Sequence, residues 1–416
     1  MPNIKKVRPV SVVQSMKIVV LGGGVTGLFT SYLLRKDGHS VTLIDTPLDG
    51  SRTSAYNAGE LTASCVPVPP ISTANLLSPY FGRSGPVYVS PAVFMQNLRW
   101  FRIARGRLMT GFEDQIMQLA AKSLRMYKEF FAEVSVQVDK IEGITALFTD
   151  LDLAKRYAQN LNGEVVDQSE IRQLGYTGFA GGVRFLEELS IHPGKLCDEL
   201  KRKLTEIGVQ IVFEKAQLNK HDGRIDCVKI NGVREEADIY VVAAGAWSRE
   251  IFVSLGYDPL ILPARGFVML FDTGGTRIVG GAGMIEESGI SIIQHNANTL
   301  RITSFFEMVG FRQSFDESRK RWLLGQAKRH LVNFDKLNLN SVEQGLGFRP
   351  CTPDQFPVIG KVPGYENLII ASGNCRLGVT LAPVTGRIVR AIVNGEKPVE
   401  IDSKYIDPAR FLRYTN

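Results

Sequence analysis

Residues 16–45, MKIVVLGGGVTGLFTSYLLRKDGHSVTLID, confine the possible folds more than any other part of the chain. Lys17–Leu21 is an apolar run of strand length, and Val25–Lys36 reads as a helix closed by Gly38. Between them Gly22, Gly24 and Gly27 fill a G-x-G-x-x-G pattern. Gly22 permits the tight turn out of the strand, Gly24 lets a pyrophosphate approach the helix N-terminus, and Gly27 lets helix and sheet pack closely. Val25 and Thr26 open the helix at that anion site. A second strand, His39–Ile44, ends in Asp45, where an acceptor for adenosine ribose hydroxyls is expected. Strand, turn, helix, strand and acid in register predict a dinucleotide site.

The rest of the composition is that of a globular protein. The chain has 416 residues, 44% of them hydrophobic, and no apolar run approaches the roughly 18 residues of a membrane span. Its length favours two closely joined domains. Residues 1–15 carry Lys5, Lys6 and Arg8 without a continuous apolar segment, so they read as an N-terminal extension rather than a signal peptide. Five scattered cysteines, Cys65, Cys197, Cys227, Cys351 and Cys375, lack C-x-x-C spacing; neither a disulfide framework nor a zinc site is expected, and a cytoplasmic setting is. The net charge of +7 is dispersed and gives no support to a nucleic-acid role. It is locally dense in 97–109, NLRWFRIARGRLM, where four arginines interleave with Trp100, Phe101 and Ile103. That segment reads either as a helix with an aromatic core face or as a peripheral contact on anionic lipid. Oligomeric state is left open.

Patterning places further elements in an order that interleaves two domains. Residues 63–90 read as a proline-rich loop, with helical patterns around 91–107 and 113–132, and strands at Ile144–Thr149 and Gly182–Phe185. The nucleotide fold resumes with a helix at Pro193–Ile207 and strands at Gly208–Phe213 and Ile239–Ala244. Strands at Pro263–Phe271, Gly289–Gln294 and Thr299–Phe306, and a helix at Asp316–Asn333, belong to a second layer. The expected fold is α/β (α+β overall): a Rossmann-like nucleotide domain of residues 16–62, 192–247 and 345–395, interleaved with a mixed-sheet substrate domain of 63–191 and 248–344. Residues 396–416 form a C-terminal tail.

A second informative block is 345–386, GLGFRPCTPDQFPVIGKVPGYENLIIASGNCRLGVTLAPVTG, with rigid proline turns, an embedded arginine and a glycine-rich connection into a final helix near Ala382. With the glycine turn, Thr53-Ser54-Ala55-Tyr56-Asn57-Ala58-Gly59 and Val241-Val242-Ala243-Ala244-Gly245-Ala246-Trp247-Ser248, it resembles the flavin-dependent amino-acid dehydrogenase and oxidase family that includes D-amino-acid dehydrogenase, glycine oxidase and sarcosine oxidase. Asn57-Ala58-Gly59 is similar to the D-amino-acid dehydrogenase branch, whereas Arg376 within Gly373-Asn374-Cys375-Arg376-Leu377-Gly378 is similar to glycine oxidase. The resemblance implies FAD. Some sarcosine oxidases attach FAD through a cysteine whose position here is Gly347, so non-covalent FAD is expected.

Roles follow from chemistry. Small residues at Ala58, Gly59 and Gly373 would let amides approach a flat isoalloxazine ring, and Thr380 with the amides of Leu377, Gly378 and Val379 would stabilise the negative charge gained on reduction. Thr53, Ser54, Asn57, Glu60, Leu61, Gln217, Ala244, Gly245 and Trp247 complete the expected cofactor set. Arg349 is the main catalytic candidate: its planar fork can hold an α-carboxylate, the role the resemblance gives to the arginine of G-x-R-P. Arg376 is a second substrate contact, a tuner of the flavin, or a structural ion pair. Tyr56 and Tyr176 are candidates for an assisting tyrosine. His192, before Pro193, reads as a helix-start residue rather than a ligand. The activity implied is oxidation of a D-amino acid, D-proline or D-alanine among the candidates, with electrons passed to a quinone or dye. L-proline dehydrogenase, glycine or sarcosine oxidase, and a flavin subunit of a larger electron-transfer complex are the alternatives.

Overall fold

The computed structural model describes residues 14–46, 53–64, 85–106, 112–314 and 316–414. Lys17–Leu21, Val25–Lys36 and Ser40–Ile44 form the expected strand, helix and strand. They lie in a six-stranded sheet ordered Val358–Lys361, Leu368–Ser372, Ile239–Val242, Lys17–Leu21, Ser40–Ile44, Gln210–Val212. All neighbours are parallel except the first pair. Such a sheet must be covered on both faces, and Ile18, Val20, Val41 and Leu43 are accordingly fully or almost fully buried. The Val25–Lys36 helix covers one face through Leu28, Phe29 and Leu34, and crosses the Ala382–Val393 helix. Gly386 makes that crossing close: a Cβ there would come 3.1 Å from the Thr30 amide nitrogen.

A second, larger mixed sheet runs Val342–Cys351, Leu262–Asp272, Thr299–Met308, Ile290–Asn296, Ala282–Ile285, Lys140–Phe148, Gly181–Ile191, Glu60–Leu61. Its strand pairs are antiparallel except Ala282–Ile285 with Lys140–Phe148 and Val87–Val89 with Thr299–Met308. The latter pair revises the expectation of continuous loop over 63–90. A strand of three residues is too short to print a period, and it forms where Phe306–Met308 run past the pairing of that strand with Ile290–Asn296. A three-stranded antiparallel sheet, Val233–Glu235, Arg224–Ile230 and Ala216–His221, forms a side layer.

The chain leaves the parallel sheet after Ile44, enters the mixed sheet at Glu60–Leu61, returns at Gln210–Val212 and leaves again after Val242. The C-terminal ends of the parallel strands therefore face the mixed sheet, the usual place for a ligand in an open α/β sheet. Residues beyond the Ala382–Val393 helix pack against the body, with Ile401, Ile406 and Phe411 buried. No helix among the described residues is long and apolar enough to cross a membrane. The 91–107 pattern splits into Pro91–Gln96 and Leu98–Gly106 at Asn97. Trp100, Phe101 and Ile103 are buried in the core, leaving Leu98, Arg102 and Arg105 outermost on that helix. Its aromatic face is thus not presented for lipid contact; Arg107, Leu108 and Met109 lie outside the described residues.

Candidate functional site

One cavity of about 1940 Å³ lies between the two large sheets, and both contribute walls. The parallel sheet supplies Leu21–Thr26, Ile44 and Asp45; the mixed sheet supplies Glu60, Ser291, Arg301, Thr303 and Arg349. At the nucleotide end Gly22 has φ +112°, and a Cβ on Gly27 would come 1.9 Å from the Gly22 carbonyl oxygen. Gly22 and Gly27 are therefore dictated by turn and packing, whereas a Cβ on Gly24 would meet only Ser54 Oγ, at 3.3 Å. Gly23 donates its amide to Asp45 Oδ1 at 2.8 Å, which fixes the acid beside the turn. Val25 donates to Ser54 Oγ at 3.1 Å. First-turn amides of a helix lack intrahelical acceptors, so this wall has the donors a pyrophosphate needs.

The 53–59 loop is held from three sides. Thr53 Oγ1 accepts from the Phe348 amide at 2.9 Å, on the strand that carries Arg349. Arg301, buried and with its guanidinium pushed down to about 10 by desolvation, donates to the carbonyls of Ala55 and Asn57 at 3.2 and 2.9 Å. Asn57 Oδ1 accepts from the Gly59 amide at 2.8 Å. Tyr56 lies over Gly345, where a Cβ would meet its ring at 2.6 Å, and its hydroxyl donates to Glu343 at 3.2 Å. Tyr176 is fully buried and donates to the carbonyls of Gly281 and Ile292 at 3.0 and 2.8 Å, so its hydroxyl is committed to the fold.

Most candidates line the cavity: Gly22, Gly24, Val25, Thr26, Asp45, Thr53, Ser54, Tyr56, Asn57, Ala58, Glu60, Ala244, Gly245, Trp247, Arg349, Arg376, Leu377, Gly378, Val379 and Thr380. Five of the expected cofactor residues do not line it. Gly27 acts in packing as expected. Leu61 is core. Gln217 is exposed on the side layer, while its neighbours Lys215 and Ala216 reach the cavity wall. Gly59, at φ +90°, is required because a Cβ would lie 2.0 Å from the Ile191 carbonyl oxygen; Gly373, at φ +86°, would meet Thr352 Cγ2 at 2.9 Å. Protein packing therefore requires glycine at both positions. Thr380 Oγ1 donates to the Glu60 carbonyl at 3.1 Å, so its hydroxyl joins two walls.

Arg349 lies deep at the far wall, packed on Gly266, with Nη1 donating to the Phe305 carbonyl at 2.8 Å. Desolvation and the charge of Arg376 push it down to about 10. Among the described residues no carboxylate pairs with Arg349 or Arg376. Glu60 shares the cavity, and desolvation raises its carboxyl to about 7.

The cysteine expectation is corrected here. Cys351 and Cys375 form a disulfide, with Cα atoms 4.3 Å apart, because Cys351 bridges to Asn374 at the end of its strand. Arg349 and Arg376 are thereby carried on two segments joined covalently, and Cys351 cannot hold a flavin. Cys197 and Cys227 are free and buried; Cys65 lies outside the described residues. Asp354, of the T-P-D triplet, is buried and paired bidentately with Arg410 Nε and Nη2 at 2.9 and 3.1 Å. Neither contact has a local sequence signal. His192 caps the helix as expected, its Nδ1 accepting from the Lys195 amide.

Residues 17–392 match the DAO family of FAD-dependent oxidoreductases. This chain belongs to that family. Its cofactor is FAD, and the glycine turn, Asp45 and the long cavity suit that group. The sequence is 25% identical to the D-amino acid dehydrogenase of Vibrio atlanticus (strain LGP32), over 95% of this chain and all of that protein. It is also 25% identical to the D-amino acid dehydrogenase of Neisseria gonorrhoeae (strain NCCP11945), over 96% of this chain and all of that one. In fold it is similar to iminodiacetate oxidase from Chelativorans sp. BNC1, with a TM-score of 0.73, 16% identity and coverage of 94% and 98% of the two chains. L-proline dehydrogenase from P. horikoshii gives 0.69 and 16%, covering 96% and 98%. This FAD-dependent amino-acid dehydrogenase or oxidase scaffold is the setting for the geometry above.

Proposed function

We propose that this family member oxidises a D-amino acid, with D-proline and D-alanine as candidates, to the imino acid, and that its electrons pass to a quinone or dye. The observation that carries the reading is Arg349, a deep guanidinium opening onto the FAD cavity with no acid partner among the described residues. A substrate α-carboxylate supplies the missing charge through a bidentate contact. Arg376 adds a second cation on the same side. The curated D-amino acid dehydrogenases, alike over nearly the whole chain, support the substrate class.

Bound FAD supplies the acceptor for the hydride that leaves the substrate Cα. The chain's own residues orient the substrate: Arg349 fixes the carboxylate, its bond to Phe305 and its seat on Gly266 fix Arg349, and the disulfide holds the Arg376 segment beside it. The cofactor is held without a covalent link, through the glycine turn, Asp45 and the 53–59 loop.

Anaerobic mixing with D-alanine, D-proline, L-proline, glycine and sarcosine, followed by air or dye, tests this. Bleaching of the flavin by a D-amino acid, with fast recovery in dye and slow recovery in air, is expected. Bleaching by L-proline, glycine or sarcosine alone makes the chain one of those catalysts instead. No bleaching by any of them makes it a subunit that turns over only with partner chains.

A further inference from the structure

Glu60 is an acid of the cavity wall that the reading above leaves without a task. Glu60 sits in the two-residue strand Glu60–Leu61, paired with Ser190 and Leu189 of the neighbouring strand, and its carbonyl is held by Thr380. Its Oε2 accepts from Ser291 Oγ at 2.9 Å. Its Oε1 is shielded from solvent and accepts from no group among the described residues. A buried carboxylate with half its acceptor capacity unused is costly unless a cation completes it.

The charged and titratable groups around it do not supply one by contact. Arg376 acts on it only at a distance and favours the ionised form. Glu286 and Glu188 oppose ionisation, and Glu188 is itself turned toward Thr62, Ala63 and Ser64, which donate to its Oε1 at 2.7–2.9 Å. The Tyr176 hydroxyl, which the Glu60 charge also senses, is occupied by carbonyls. Among the described residues, Arg349 and Arg376 on the cavity wall have no carboxylate partner, and Glu60 on the same wall has no cation in contact with it. This is the charge pattern of a zwitterion's complement: cations for a carboxylate, an acid for an ammonium group.

We propose that Glu60 is a catalytic residue whose carboxylate receives the α-ammonium group of the substrate and takes one proton from it. The inference rests on the amino-acid reading given above. The step converts the ammonium to a neutral amine and the carboxylate to a carboxylic acid. The freed nitrogen lone pair then forms the C=N bond as the Cα hydrogen departs with its bonding electrons to the flavin, and Glu60 later returns its proton to water. Ser291, bonded to Oε2, is a positioning residue that tunes where Glu60 titrates.

Anaerobic stopped-flow reduction of the FAD-loaded protein, using whichever amino acid bleaches it, tests the assignment between pH 6 and 10. The wild type is expected to gain rate with pH through a limb near 7. Glu60→Gln is expected to lose that limb and to reduce about 10²- to 10⁴-fold more slowly at pH 8. Propionate, which has the carboxylate but no amine, separates the two ends of the substrate. Its perturbation of the flavin spectrum should titrate alike in wild type and Glu60→Gln, and weaken about a hundredfold in Arg349→Lys. If Glu60→Gln does not retain FAD, Ser291→Ala decides the matter: the limb moves to higher pH if Glu60 produces it and stays if another group does. A Glu60→Gln protein with wild-type rate and an unchanged limb overturns the role of Glu60 while leaving amino-acid oxidation intact. Failure of every amino acid to bleach the wild-type flavin overturns the amino-acid reading and this inference with it.

Discussion

Glu60 on the cavity wall and His295, buried on the Ile290–Asn296 strand, carry opposite signatures in the pH dependence of stability. Burial raises Glu60 from 4.5 to about 7, so between those values the folded state keeps a proton that the unfolded chain has lost. Stability falls as pH rises across that window and levels off above it. His295 is lowered from 6.5 to about 3 by desolvation, with Arg301 and His192 adding to it. Its contribution is complete above 6.5 and fades as pH falls toward 3. The two slopes cancel from about 4.5 to 6.5 in the wild type. Glu60→Gln removes one of them, so chemical denaturation of the FAD-loaded protein should show the variant gaining on the wild type by on the order of 3 kcal/mol from pH 4.5 to 7.5. Equal pH profiles would mean that Glu60 ionises freely in the fold.

At the scale of elements, the glycine turn is where local chemistry and tertiary packing say the same thing. Gly27→Ala pushes a methyl group into the Gly22 carbonyl and pries the helix from the sheet. The purified variant is expected to lack the visible absorbance of bound FAD while Gly38→Ala, where a Cβ meets nothing, departs only through its positive φ. This turn and the parallel strands around it were legible in the sequence because their periods and breaks are local. The loop at 53–59 and the Arg349 strand were legible only through motif resemblance. What stayed hidden depends on distant partners: Val87–Val89 finds its edge in Thr299–Met308, and Glu60 gains meaning only when Ser291, 231 residues away, donates to it. A packing reason for glycine at Gly59 and Gly373 was likewise hidden, because Ile191 and Thr352, which crowd the place of a Cβ, are distant in sequence.

At the scale of the molecule, the C-terminal segment closes on the site it follows in sequence. Arg410 and Asp354 are each almost completely buried, and Arg410 Nη2 also donates to the Phe356 carbonyl. Removing the cation strands a carboxylate in the core, so Arg410→Ala should lower unfolding free energy by about 3–5 kcal/mol, read from its denaturation midpoint. An unchanged midpoint would show that water replaces the guanidinium. The chain also carries a covalent ring: the bond between Cys351 and Cys375 encloses both Val358–Lys361 and Leu368–Ser372, with the exposed Lys361 and Glu366 flanking their connection. A protease that cuts inside this ring opens the backbone without separating its halves. The nicked protein should therefore migrate as one species in a denaturing gel until a thiol is added, and then fall into two pieces. The single bond that aligns the two arginines thus makes the connectivity of the mature molecule depend on the redox state of its surroundings.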